Sequence, residues 1–464
     1  MSEINNLEEG LWEKSSKPLD PPPIAQDAVF GEITEEGPNY RNVGWWGTAA
    51  LMLKTQFGLG VLSIPGVFDS LGIVPGIICL CAIACILTWS NYVIGTFKRN
   101  HPEVYAVDDA GELMFGRVGR EALGAGMCIY WIFVAGSGLL STSIGLNAVS
   151  AHGTCTAVFV AVAAIASFLL ASVRTLGKIK FTAWIGLVSV FVALMIAIIA
   201  VGVQDRPPTA PQTGNWESDY KVVNNLSFVD GITAVSSLVF AYSGTPGFFP
   251  IVAEMRDPSL YTRSLLMCQG FLTAVYITVG TVMYYYCGSF VASPALGSAG
   301  TLIKRIAYGI SLPGLIVSTI LVLHFPSKYI FIRILRGSDH LTSNSFTHWA
   351  TWIGCTLSIT VASYLIASGI PIFDNLVSLI GALLGTFVSF QPMGCMWLYD
   401  NWKKGRERPT VKWVLLSSWS AFVVLLGTFL MIGGTYGSIV NIVASSKATS
   451  GASAWSCADN SNTS

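Results

Sequence analysis

About eleven stretches of this chain are each apolar over roughly 20 residues, the length a helix needs to cross a hydrocarbon layer of about 30 Å. They run from Trp45 to Phe68, Gly72 to Phe97, Ala122 to Val149, Thr154 to Val173 and Phe181 to Val203. After a polar loop come Phe228 to Met255, Ser264 to Phe290, Leu302 to Ile332, Phe346 to Ala367, Ile372 to Tyr399 and Trp413 to Tyr436. In lipid every backbone N–H and C=O must be satisfied within the protein, so the spans are helical and the expected class is all-α integral membrane. With 52% hydrophobic and 11% charged residues, the composition excludes a soluble enzyme. The 26 basic residues are matched by 26 acidic ones, which speaks against a nucleic-acid partner and leaves the bilayer as the first partner.

Residues 1–43 are polar, with Pro21-Pro22-Pro23 among them, and read as a disordered cytosolic arm. Residues 44–436 form the membrane domain, and 437–464 a Ser/Ala/Asn-rich tail on the opposite side. Lys98, Arg99, Arg117, Arg120, Arg256, Arg263, Lys328, Arg333 and most other basic loop residues fall on the side of the N-terminus, which the positive-inside rule makes cytosolic. An odd number of spans then places the C-terminus outside. Asn225-Leu226-Ser227, in the long loop before the sixth span, is a glycosylation sequon on that outer side, and Asn462-Thr463-Ser464 is a second. Of the 10 cysteines, Cys155, Cys287 and Cys457 fall near the outer face, and the sequence favours no pair among them. No Cys/His spacing suggests a metal, and no cofactor is expected.

Two spans are interrupted. The first reads Lys54-Thr55-Gln56-Phe57-Gly58-Leu59-Gly60-Val61-Leu62-Ser63-Ile64-Pro65, and the sixth reads Phe240-Ala241-Tyr242-Ser243-Gly244-Thr245-Pro246-Gly247. Non-helical backbone at membrane depth is tolerated only where it lines a cavity. Broken helices at matching positions of two five-span halves of opposite topology are the sequence signature of a transporter's substrate site. The competing account, close helix packing through glycine, fits the GxxxG pairs Gly72/Gly76 and Gly381/Gly385 better.

The pattern Lys54-x-x-x-Gly58-x-Gly60-x-Leu62-Ser63-Ile64-Pro65 resembles the opening motif of the amino acid/auxin permease family. So does Phe240-x-Tyr242-x-Gly244 followed by Phe249-Pro250-Ile251-Val252-Ala253-Glu254-Met255-Arg256-Asp257-Pro258, and the eighth span ends in a similar Phe325-Pro326-Ser327-Lys328. The likeness runs from Gly44 to Tyr436 and is nearest to fungal neutral amino acid permeases. It implies a LeuT-type 5+5 inverted repeat with helices 1 and 6 unwound, plus one extra helix. It also implies secondary active transport of amino acids, with a proton, or less readily sodium, as coupling ion.

Within that frame the first break supplies backbone N–H groups and a positive helix end to a substrate carboxylate, at Phe57, Gly58, Leu59 and Gly60. The second break offers the carbonyls of Phe240, Ala241 and Tyr242 to the ammonium, with Ser243, Gly244 and Thr245 beside them. Aromatic rings at Phe57, Phe240, Tyr242, Phe248 and Trp131 suit apolar and aromatic side chains, while Trp131 also reads as plain packing. Lys54 has two readings: a tethered cation that replaces or carries the coupling ion, paired with Glu254, or a side chain snorkelling to the inner interface. Glu254 reads alternatively as an ion pair at a helix end that closes the inner gate. Thr319 matches a sodium-binding position of sodium-coupled relatives, or bonds its own i−4 carbonyl. Asp374 reads as a first-turn or N-cap residue, and His324 as a hydrogen-bonded structural histidine or a proton relay. The resemblance leaves the plasma membrane and the vacuole open as locations. In the vacuole the task would be export to the cytosol or nutrient sensing. The short arm favours the plasma membrane. No pore loop, charged ring or intramembrane Ser/His or His/Glu cluster supports a channel or a membrane enzyme.

Overall fold

A computed structural model of the chain describes residues 25–27, 31–33, 43–173, 179–336, 338, 340, 345–448 and 454–461. The arm expected to be disordered lies almost wholly outside these residues, as does the sequon at Asn462. Within the arm, β1 (Ala25–Asp27) and β2 (Gly31–Ile33) pair antiparallel.

The remaining elements are helices. The first span is split into α1 (Trp45–Gln56) and α2 (Ile64–Leu71), joined by Phe57–Leu59 and a 3₁₀ turn, Gly60–Ser63. The two pieces meet at 46°. Pro65 sits in the first turn of α2, where its missing N–H costs nothing. There follow α3 (Ile73–Asn100), α4 (Val107–Ser150), α5 (Thr156–Ala171) and α6 (Ile179–Val203). The second half opens with α7 (Phe228–Tyr242), whose N-cap Ser227 accepts from the Asp230 N–H. A 3₁₀ turn, Thr245–Gly247, leads into α8 (Phe248–Ala253). Then come α9 (Tyr261–Cys287), α10 (Thr301–Leu335), α11 (Phe346–Gly369), α12 (Phe373–Leu379), a π-helical turn (Ile380–Gly385), α13 (Thr386–Ser389), α14 (Gln391–Glu407) and α15 (Val411–Ala448).

Among the described residues nine helical stretches are long and apolar enough to span, and the bent α1–α2 pair makes a tenth. The shorter apolar α5 stands where the fourth span was expected. Two boundaries differ from the sequence reading, and one break differs in degree. Helix α4 begins at Val107, ahead of a kink at Gly116, because its first turns are charged and escape a hydropathy window. Helix α15 continues to Ala448, past Tyr436. The second break is milder than the first, since Phe228–Ala253 stays within one span.

Helices α4 and α10, third in their respective halves, pack most extensively of all pairs, and α5 and α11 complete a four-helix set with them. The interrupted spans lie against α9, α3, α12 and the π turn, and hydrogen bonds from Lys54 to Ser318 and from Tyr130 to Ser243 tie them to α10 and α4 of this set. Helix α15 instead packs on α7 and on the α12–α14 span, outside the repeat.

Candidate functional site

The two breaks cross each other in the buried centre. A Cβ placed on Gly60 would stand 2.6 Å from the Ala241 Cα. One placed on Gly244 would stand 2.6 Å from Gln56 Cγ and 2.7 Å from Thr55 Oγ1. Each break therefore presses a glycine against the backbone or side chains of the other, an approach that any larger residue would prevent. Phe57, Leu59, Gly60, Phe240, Ala241, Tyr242, Ser243 and Thr245 are all buried. Among the described residues the N–H groups of Gly58 and Leu59 reach no acceptor. The Thr245 hydroxyl, fully buried in the second break, has no hydrogen-bond partner either. Unpaired donors of this kind are costly in a dry interior and mark a place where polar groups of a ligand would be satisfied.

The second break departs from expectation. Its carbonyls already have donors: Tyr276 to Ala241 O at 3.0 Å, Gln56 Nε2 to Tyr242 O at 2.7 Å, and the Tyr130 hydroxyl to Ser243 O. Phe240 O accepts from Ser243 N at 3.0 Å. Gln56, Tyr130 and Tyr276 escaped the sequence reading because their partners lie more than 30 residues away in sequence. The available signal was a polar group in mid-span beside each break.

Lys54 is 7% exposed, so it does not snorkel. Its ammonium donates to Ser318 Oγ on α10 at 2.7 Å, and that hydroxyl donates onward to Gly314 O. Among the described residues Ser318 is its hydrogen-bond partner, so the expected pairing with Glu254 is not formed. The reason is position. Glu254 follows α8, where its carbonyl and the Arg256 N–H form a short parallel bridge with Val43 at the start of the first span. A Cβ on Gly58 would lie 3.3 Å from Ser318 Oγ, and one on Gly186 of α6 would lie 3.0 Å from Lys54 Nζ. The ammonium thus sits beside the first break, between α1, α6 and α10.

Thr319 Oγ1 donates to Leu315 O at 2.8 Å, and the space of a Gly138 side chain would be filled by it. Trp131 is buried with its ring 4.8 Å from Phe325 and its edge near Gly247, so it packs against the second break. The Phe57 ring meets Phe191 on α6 at a 45° tilt and walls an apolar cleft of about 330 Å³ between α1, α6 and α9. The Tyr242 hydroxyl is held by Thr273 at 2.9 Å. Buried Phe248 and Phe249 follow the 3₁₀ turn.

Two expectations outside the breaks change, and the first-turn reading of Asp374 is met. Among the described residues the ring nitrogens of His324 have no hydrogen-bond partner, and the ring meets Trp352 edge-on. Asp374 is in the first turn of α12 but accepts from the Ser293 hydroxyl instead of capping the helix. Cys155 and Cys457 form a disulfide, while Cys287 stays free. Asn225 is exposed in the loop before α7, as a modified residue requires.

A family model described as transmembrane amino acid transporter protein matches residues 41–440. The chain belongs to that family. It is 34% identical to a "transmembrane transporter" of Gibberella moniliformis, covering 96% of this chain and 94% of the relative. It is 31% identical to the "N amino acid transport system protein" of Neurospora crassa, covering 89% and 87%. Among solved structures, the substrate-bound outward-open state of a Na⁺-coupled sialic acid symporter aligns with a TM-score of 0.55. The identity is 13%, over 87% of this chain and 91% of that one. The architecture is accordingly the LeuT-type fold of transporters, and the chain is a multi-pass membrane carrier, not an enzyme.

Proposed function

We propose that this family member imports neutral aliphatic and aromatic amino acids into the cytosol by proton symport across the plasma membrane. The observation that carries the reading is the crossing of the two breaks at Gly60 and Ala241. A zwitterion placed there has the unpaired N–H groups of Gly58 and Leu59 for its carboxylate. For its ammonium it has the second lone pairs of the Phe240, Ala241 and Tyr242 carbonyls, each of which already accepts one hydrogen bond, and the Thr245 hydroxyl. Backbone recognition of both charged ends is independent of the side chain. The surrounding rings of Phe240, Trp131 and Phe248 give selectivity for apolar substrates.

Lys54 carries the coupling proton. As an ammonium it ties the first break to α10 through Ser318; as an amine it loses the charge-assisted part of that bond and frees α1. Proton coupling is favoured over sodium because a cation belonging to the protein already sits between α1 and α10. Thr319 is also committed to its own helix. The N-terminus is cytosolic and the disulfide-bearing side faces an oxidising space, in keeping with the basic loops. Asn225 carries a glycan on that side.

The test is uptake of labelled leucine and phenylalanine into vesicles containing the purified protein. Uptake that rises with an inward proton gradient and ignores sodium replacement is expected. Gradient-independent uptake overturns the coupling, and no amino acid uptake overturns the reading. A fluorescent fusion at the cell surface checks the location.

A further inference from the structure

The two breaks are treated differently by the rest of the protein. Among the described residues the Gly58 and Leu59 N–H groups of the first have no acceptor, whereas three successive carbonyls of the second are each capped. The caps come from three different helices: Gln56 from the end of α1, Tyr130 from α4 and Tyr276 from α9. All three side chains are buried, Gln56 at 5%, Tyr130 at 3% and Tyr276 at 0% exposure. The Tyr276 hydroxyl also lies 3.2 Å from the Gln56 carbonyl, so a single phenol reaches both breaks. The Gln56 stem is itself pressed against Gly244. Two of these, Ala241 O and Tyr242 O, are acceptors that a substrate ammonium would use, Ser243 O adjoins them, and each already accepts a hydrogen bond from a neutral donor of the protein.

A carrier that takes up its cargo on one side and releases it on the other must cross back unloaded. During that step the carbonyls of the second break have no ammonium. Left bare in a dry interior they would cost free energy and invite the break to collapse into helix. We propose that Gln56 and Tyr276, with Tyr130, are positioning residues that stand in for the substrate's ammonium group while the carrier returns unloaded. On loading, the ammonium joins or displaces these neutral donors, and its charge-assisted bonds are stronger than theirs. The proposal rests on the amino acid carrier reading and adds to it a role for side chains that need not select the substrate.

The two transport modes separate the role from a structural one. Net uptake into empty vesicles requires the unloaded return. Exchange, with unlabelled amino acid inside, does not. Gln56→Leu keeps the volume and removes the donor; Tyr276→Phe removes one oxygen. In each, the ratio of net uptake to exchange is expected to fall roughly tenfold, the rate equivalent of one uncapped buried carbonyl. Gln56→Asn, a shorter amide, should recover part of the ratio. A ratio equal to that of the unmodified protein, with both modes falling together or neither falling, overturns the proposal. If Gln56→Leu fails to insert, Tyr276→Phe decides alone. Absence of exchange in the unmodified protein sinks the carrier reading instead, so the two failures are distinguishable.

Discussion

Lys54 shows how one residue can hold a mechanism. An ammonium buried at membrane depth costs several kcal/mol unless it is compensated, on the order of the insertion penalty for a central lysine. Here a hydroxyl, not a carboxylate, meets it. A charge so weakly compensated is one that can be given up, and that is the property a proton carrier requires. Lys54→Met removes the charge while keeping the stem. The expected protein is folded, and thermally as stable as or more stable than the parent, since removing a poorly paired buried charge relieves its desolvation. Its uptake should no longer respond to the proton gradient. Ser318→Ala leaves the ammonium without its partner and should instead destabilise by about 1–3 kcal/mol. Gradient-driven uptake that persists in Lys54→Met would remove Lys54 from the coupling step. Lys54 was visible in the sequence because a lone basic residue in an apolar run stands out. Its partner was not, because Ser318 lies 264 residues on and resembles any other span serine. Glu254 was the more conspicuous candidate, yet sequence proximity to the second break says nothing of its height along the span.

At the level of elements, glycine decides where the interrupted helices can go. The breaks themselves were legible, since paired Gly and Pro residues in two apolar runs leave little alternative. Their unequal character was not. The first bends by 46° while the second stays within one span, and α7 beside it is held from outside. Part of that support comes from the π-helical turn Ile380–Gly385. A Cβ on Gly381 would lie 1.9 Å from Ser236 O of α7, and one on Gly385 would lie 2.8 Å from Ser243 Oγ. The GxxxG pair thus packs, as read from its spacing, but it packs onto the second break. A π turn inserted in an α-helical run commonly marks a functional position. Gly60→Ala and Gly381→Ala place the same added methyl at the two levels. Gly60→Ala forces the breaks apart and should lower transport roughly tenfold or more, at an overpacking cost of about 1–3 kcal/mol. Gly381→Ala forces the π turn off α7 and should show first as reduced thermal stability. Equal transport by Gly60→Ala and the parent, at equal amounts in the membrane, would contradict the contact at Ala241.

For the molecule as a whole, the C-terminal segment does what no sequence signal announced. Helix α15 belongs with α7 and the α12–α14 span, yet residues 454–461 cross to the four-helix set of α4, α5, α10 and α11. Cys457 is bonded to Cys155 at the start of α5, and Thr156 Oγ1 donates to Ala458 O at 2.5 Å. Asn147 Nδ2 donates to Asn460 Oδ1 at 2.7 Å, Lys304 Nζ to Ser461 O at 2.6 Å, and the Trp455 N–H to Ser368 O at 3.2 Å. The tail therefore joins the two packed groups on the face opposite the N-terminus. Sequence could name the cysteines but not choose among three, because pairing depends on where α15 ends. A bond closing so long a loop typically contributes about 2–4 kcal/mol. Cys155→Ser and Cys457→Ser should each lower the Tm by the same amount, and the double variant by no more than either, since both remove one bond. A double variant that loses the sum would mean that the two thiols act separately. Orientation enters the same experiment. A membrane-impermeant reductant added to intact cells should expose both thiols to an impermeant maleimide. Labelling only after permeabilisation would put this face in a closed compartment or in the cytosol, and the surface carrier proposed above would then be misplaced.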